Sequence, residues 1–142
     1  MLLKNKHIFI VEDDIANRAI IQMMLEREGA KTAIDRWGVD ALPRIRAFAP
    51  VDLILLDLMF PAGISGFDIF DEIRRESDLA HIPIIAVSAM DPSLAIPKTQ
   101  IKGFNGFIPK PIEYELFVHQ IVSVLEGETV WFAGRGPEFD KG

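Results

Sequence analysis

The sequence contains no cysteine. Disulfide scaffolds, thiolate zinc sites and cysteine nucleophiles are thereby excluded. Histidine is nearly as scarce: only His7, His81 and His119 occur, too widely spaced for a His-based metal cage. Basic residues are in deficit, 15 Lys and Arg against 21 Asp and Glu, for a net charge of −6. A sequence-independent grip on nucleic acid or an anionic membrane needs basic surface, so neither is expected as a partner. No apolar run approaches about 18 residues, the length a membrane span requires. The amino-terminal MLLKNKHIFIVEDD turns acidic at once and lacks a small-residue cleavage site, so a cytoplasmic protein is expected.

What is present is the balance of an ordinary globular chain, 49% hydrophobic and 25% charged over 142 residues. A chain of this size buries roughly 68–70% of its unfolded surface, enough for one core without covalent staples. Short β-branched or aliphatic runs fall at 7–11, 31–34, 51–56, 82–87 and 104–108. Between them, apolar residues recur at helical spacing over 15–28, 38–48, 67–76 and 112–125. Pro43 restricts the second helix to a start near Asp40 or a kink, since proline is tolerated only in a first turn. Pro92 and Pro97 predict an irregular segment between Asp91 and Lys102 rather than a continuous helix of three turns. Five strands alternating with about five helices call for right-handed βαβ crossovers and a three-layer α/β domain. The tail from Glu126 changes character, with four glycines beside Trp131, Phe132 and Phe139. It reads either as a disordered extension or as an arm that docks its aromatics on the domain or a partner.

In doubly wound sheets, ligands bind outside the carboxyl ends of the strands. Sorting residues by that rule leaves Glu12 and Asp13 after the first strand, Asp57 after the third, Ser88 at the end of the fourth and Lys110 after the fifth. Each has an ordinary reading alone: Asp57 as a turn former, Ser88 as a cap, Lys110 as a solvated lysine. Asp14 reads as the N-cap of the first helix rather than as a ligand. Three carboxylates gathered at one edge repel one another and raise each other's pKa values, a cost that a bound divalent cation removes. An incomplete all-oxygen site suits Mg²⁺, which keeps several waters, with Mn²⁺ as the alternative.

These residues lie in VEDD, LILLDLMFP, AVSA and GFIPKP, and the ordered set resembles the receiver (CheY-like) domain of two-component response regulators. The resemblance covers about 4–125 and implies a flavodoxin-like sandwich with a five-stranded parallel sheet. It implies that Asp57 is the phosphoacceptor, attacking the phosphoryl group of a phosphohistidine. Asp13 and Asp57 would bind the metal through side chains, Met59 through its carbonyl and Glu12 through a water. Ser88 and Lys110 would each hold a phosphoryl oxygen, and the small Ala89 would leave the donor access. Ser88 and Phe107 would form the switch, and Lys110–Pro111 is a candidate cis peptide. The implied partners are a histidine kinase or histidine phosphotransfer protein, a downstream protein target, and a second copy through the face of the fourth helix, fifth strand and last helix.

The loop after Asp57 departs from the family pattern: Phe60 stands for a methionine, Ser65 for an aspartate, and one residue is inserted. None of these changes removes a ligand. A receiver at 4–126 with an extension at 127–142 leaves 17 residues after Leu125, too few for a helix-turn-helix output module. A stand-alone receiver is therefore expected. Two alternatives stand beside it, a degenerate receiver serving as a phosphorylation-independent scaffold and an aspartyl-nucleophile phosphatase. The haloacid dehalogenase pattern of the latter wants a second aspartate where Met59 stands.

Overall fold

The computed structural model describes residues 1–134. The strands are β1 (His7–Val11), β2 (Lys31–Asp35), β3 (Leu53–Leu56), β4 (Ile84–Ser88), β5 (Gly106–Pro109) and β6 (Val130–Trp131). The helices are α1 (Ile15–Arg27), α2 (Ala41–Phe48), α3 (Gly66–Arg75), α4 (Pro92–Lys102) and α5 (Tyr114–Leu125), with a 3₁₀ turn at Pro61–Gly63. All neighbouring strands pair in parallel, in the order β2-β1-β3-β4-β5-β6. The chain reverses its winding between β1 and β3, and the crevice at such a point is where doubly wound sheets bind ligands.

Alternation along the central strands explains why both faces are covered. Leu53 and Leu55 of β3 join one apolar cluster with Ile8, Ile10, Leu25, Phe117 and Ile121. Ile54 and Leu56 join the opposite cluster with Phe9, Ile45, Ile69, Phe70 and Phe107. A strand apolar at every position is thus packed on both sides, which a parallel sheet requires. This is the flavodoxin-like three-layer arrangement expected from the sequence. Pro43 is accommodated as the third residue of α2, which follows Asp40 as its N-cap.

Two elements differ from expectation. Residues 92–102 form a continuous 11-residue helix, not an irregular segment. Pro92 occupies its first turn, the Asp91 carboxylate accepts from the Ser93 amide at 3.0 Å, and Gly103 ends the helix at φ 98°. Pro97 lies inside the helix but on its exposed side, with Ser93 exposed one turn earlier. The carbonyl left without a helical donor is therefore on the wet face, while Ala95 and Thr99 are fully buried on the other. Burial of that face and two good caps outweigh the cost of about 3 kcal/mol for an interior proline.

The second difference is β6, a sixth strand drawn from the tail. Val130 packs into the cluster on the α5 side and Trp131 into the cluster containing Phe107. Of the segment read as an extension, residues 130–131 therefore pair with the sheet, and Trp131 packs on the domain. Phe139 lies outside the described residues.

Replacing Pro97 with alanine restores the missing donor on the exposed face of α4. Pro97→Ala is expected to raise unfolding stability by about 1–3 kcal/mol, reduced somewhat by the freer unfolded chain. Urea unfolding of both proteins measures it, and an unchanged or lower stability contradicts the account of α4.

Candidate receiver site at the carboxyl edge of the sheet

The parallel register carries β1, β3 and β5 to a common edge. The Asp57 amide donates to the Val11 carbonyl at 3.1 Å, which fixes the end of β3 beside the end of β1. Directly after β1, the Glu12 amide donates to the Asp35 carbonyl at 3.1 Å. On the other side, the Lys110 amide donates to the Ser88 carbonyl at 2.9 Å. Glu12, Asp57 and Lys110 are thus positioned by backbone hydrogen bonds of the sheet itself.

Their side chains meet. The Lys110 ammonium donates to Asp57 Oδ2 at 2.8 Å and lies 2.5 Å from Glu12 Oε1. Asp57 Oδ1 accepts from the Leu58 amide at 2.7 Å and the Met59 amide at 3.3 Å. Glu12 Oε2 accepts from the Asp14 amide at 3.1 Å. Glu12 is 2% exposed and Asp57 5%. Burial pushes the Glu12 carboxyl above its usual range, and the Asp57 charge adds to it; hydrogen bonding to Lys110 only partly opposes them. Burial alone would lower the Lys110 ammonium, but its bonds to Asp57 and Glu12 win and hold it above its ordinary value.

Carboxylate oxygens of Glu12, Asp13 and Asp57 all lie within 4.8 Å of one another. Asp13 is half-buried, while Asp14 stands aside as the N-cap of α1, accepting from the Asn17 amide at 2.9 Å. An all-oxygen set this close, too few to saturate an ion, fits Mg²⁺ and its retained waters. Ser88 is fully buried at the end of β4, and its hydroxyl accepts from the Met90 amide at 3.3 Å. Ala89 beside it is exposed. Phe107 is fully buried within β5, and the Lys110–Pro111 peptide is cis.

The altered loop leaves this cluster intact because its extra length is looped out. Met59 and Ser65 form an antiparallel bridge, and the Phe60 amide donates to the Ile64 carbonyl at 3.2 Å. Between them Ala62 and Gly63 take positive φ values of 61° and 74°. Ser65 caps α3, accepting from the Phe67 amide at 3.1 Å. Gly66, which the sequence did not single out, is the tightest point of the site. Its amide donates to the Leu58 carbonyl at 2.9 Å. A Cβ at this position would overlap the Asp57 carbonyl oxygen and lie 2.6 Å from Leu58 Cα. In the sequence its only signal is a glycine just before the helical run at 67–76. Asp35, buried at the end of β2 with Arg44 3.9 Å away, lies one residue beyond the run at 31–34 that marks this strand in the sequence.

A doubly wound sheet with acids after β1 and β3 and a lysine after β5 defines a receiver-type module. The chain belongs to the response regulator receiver domain family, whose model matches residues 8–122. Over 120 residues it is 33% identical to the polar-differentiation response regulator DivK of Brucella ovis, covering 84% of this chain and 96% of that one. The crystal structure of a putative response regulator from Chloroflexus aurantiacus J-10-fl superposes with a TM-score of 0.79 at 24% identity, covering 87% of this chain and 99% of that one. The receiver domain of sensor histidine kinase PA1611 from Pseudomonas aeruginosa PAO1 superposes with a TM-score of 0.72 at 25% identity, covering 87% and 99%. That structure has a magnesium ion coordinated in its active site cleft. No described helix is long and apolar enough to cross a membrane.

Because backbone atoms leave no room at Gly66, Gly66→Ala must displace the Asp57 loop. A loss of about 1–3 kcal/mol is expected, as for overpacking elsewhere. Chemical unfolding measures it, and a neutral result contradicts the tight contact.

Proposed function

We propose that the chain is a phosphoryl-accepting receiver, with Asp57 as the acceptor and a histidine kinase or histidine phosphotransfer protein as donor. The observation that carries this reading is the cluster of Glu12, Asp13 and Asp57 carboxylates, with the Lys110 ammonium on Glu12 and Asp57, at the edge where such sheets bind ligands. An Asp57 carboxylate oxygen forms the new bond to phosphorus while the phosphorus–nitrogen bond of phosphohistidine breaks. The electron pair stays with the imidazole nitrogen, which takes a proton from solvent. A carboxylate needs no general base for this attack. Phosphoryl transfer asks the protein mainly for positioning and for neutralisation of the equatorial oxygens. Lys110 supplies one charge-assisted donor, and the Ser88 hydroxyl turns from the Met90 amide to donate a second.

Mg²⁺, or Mn²⁺ in its place, would be held by the side chains of Asp13 and Asp57, the Met59 carbonyl and, through a water, Glu12. When bound it supplies positive charge against the phosphoryl oxygens. The exposed Ala89 leaves the approach over Ser88 open. The product is a labile acyl phosphate, and its readout is phosphorylation-dependent binding of a downstream protein. Ser88 and Phe107 are the proposed switch, and the face of α4, β5 and α5 is the proposed contact with a target or a second copy. The site thus catalyses only its own modification, in a cytoplasmic signalling chain.

Two outcomes test this. Incubated with magnesium and acetyl phosphate, the wild type should gain the mass of one phosphoryl group and Asp57→Asn should gain none. No adduct under any donor would favour a phosphorylation-independent scaffold, and continuous hydrolysis of phosphomonoesters an aspartyl phosphatase. Magnesium alone, at a hundredfold excess over its dissociation constant, should stabilise the fold by about 2.7 kcal/mol. EDTA should reverse the effect and Asp13→Asn abolish it, as read by thermal unfolding. An equal shift in Asp13→Asn contradicts the ligand assignment.

A further inference from the structure

Without β6, β5 would be the edge of the sheet. β6 covers it with two residues, in register with Gly106 and Phe107. The Val130 amide donates to the Asn105 carbonyl at 3.2 Å and the Phe132 amide to the Phe107 carbonyl at 3.0 Å. The seat is shaped for a close approach. Gly106 faces the Val130 carbonyl, and a Cβ there would lie 2.7 Å from that oxygen. Val130 and Trp131 are only partly buried, one in each layer. A two-residue strand at the edge of a sheet has a low opening free energy compared with the core.

β6 runs parallel to β5, so the chain leaves it at the edge that carries the acids. Gly134 lies against the Pro109 ring, where a Cβ would make an ordinary contact at 3.8 Å. Pro109 is in register with Ser88 on one side and adjoins Lys110 in sequence. Phe107 is in register with Trp131. The other end of β5 is pinned. Asn105 donates its amide to the Ile84 carbonyl at 2.8 Å, and its side-chain oxygen accepts from the Ile84 amide at 3.0 Å. The Lys110 end is tied to β4 by the bond from the Lys110 amide to the Ser88 carbonyl at 2.9 Å. It alone also carries the ammonium, so a pull from the site enters β5 at this end, beside the Phe132–Phe107 bond to β6.

We infer that β6 is a displaceable strand that reads out the state of Asp57: phosphoryl transfer draws the Lys110 end of β5 toward the site, weakens the Phe132–Phe107 bond and frees the arm from the β5 edge. The inference rests on Asp57 being the phosphoacceptor. Transfer replaces the carboxylate charge beside Lys110 with charge on phosphoryl oxygens farther out. The ammonium must follow to stay paired, and its strand carries β6. The released edge is a row of backbone donors and acceptors open to a strand from a partner. Coupling of this kind is reciprocal: if site occupancy weakens the arm, a weakened arm favours site occupancy.

The test uses the full chain. Amide exchange at Val130 and Phe132, followed residue by residue by NMR, is compared before and after acetyl phosphate and magnesium, with intact mass recording the adduct. Exchange at Phe132 should accelerate about tenfold in the adduct, with a smaller change at Val130, whose acceptor is pinned. Asp57→Asn should show no change. Separately, Trp131→Ala should bind the phosphoryl mimic beryllofluoride about fivefold more tightly than wild type. An adduct with unchanged Phe132 exchange, or unchanged beryllofluoride affinity in a folded Trp131→Ala, overturns this inference and leaves the phosphoacceptor reading standing. Absence of any adduct overturns both.

Discussion

The ammonium of Lys110, held between Asp57 and Glu12, joins the ends of β5, β3 and β1 at a single point. Two like unit charges about 4 Å apart in an effective dielectric of about 20 interact by about 4 kcal/mol. That is a large fraction of the net stability of any domain this size, so two buried carboxylates need a cation between them. The sheet supplies one through the fifth strand, fixed by the bond from the Lys110 amide to the Ser88 carbonyl. Close approach of the acids then becomes affordable, and with it an oxygen cage suited to a divalent ion. Structure and chemistry therefore depend on one interaction.

Much of this was legible because period-two alternation and the edge rule for doubly wound sheets are both sequence-level constraints. Leu53–Leu56 could only be a strand packed on both faces, and that placed Asp57 at the end of a central strand. Glu12, Asp13, Ser88 and Lys110 then followed from their positions after neighbouring runs. Asp14 was separable from the site by local chemistry alone, as a short acid before an apolar-periodic segment.

The misses share a cause: each depends on packing that no local pattern records. Pro97 is a helix breaker by propensity, yet its effect depends on which face it occupies, and the burial of Ala95 and Thr99 decided that. A two-residue strand such as β6 is too short to show alternation, and its partner lies 24 positions earlier in register. Gly66 carries no distinguishing pattern in the sequence, because its need for a bare Cα arises only once the Asp57 carbonyl is laid across it. The inserted loop residue, by contrast, proved harmless, since the Met59–Ser65 bridge closes the excursion before it reaches the acids.

The arm lies along the same short strand that leads into Lys110, so this receiver carries its own cover for the edge beside its proposed switch. All of it turns on Asp57 bearing the phosphoryl group as an acyl phosphate. Borohydride reduction followed by peptide mass spectrometry tests that most directly, because it reduces an aspartyl phosphate to homoserine and leaves phosphate esters intact. The account predicts homoserine at position 57 after treatment with a small phosphodonor. Phosphate retained on a serine, threonine or tyrosine, or homoserine at another aspartate, would contradict it.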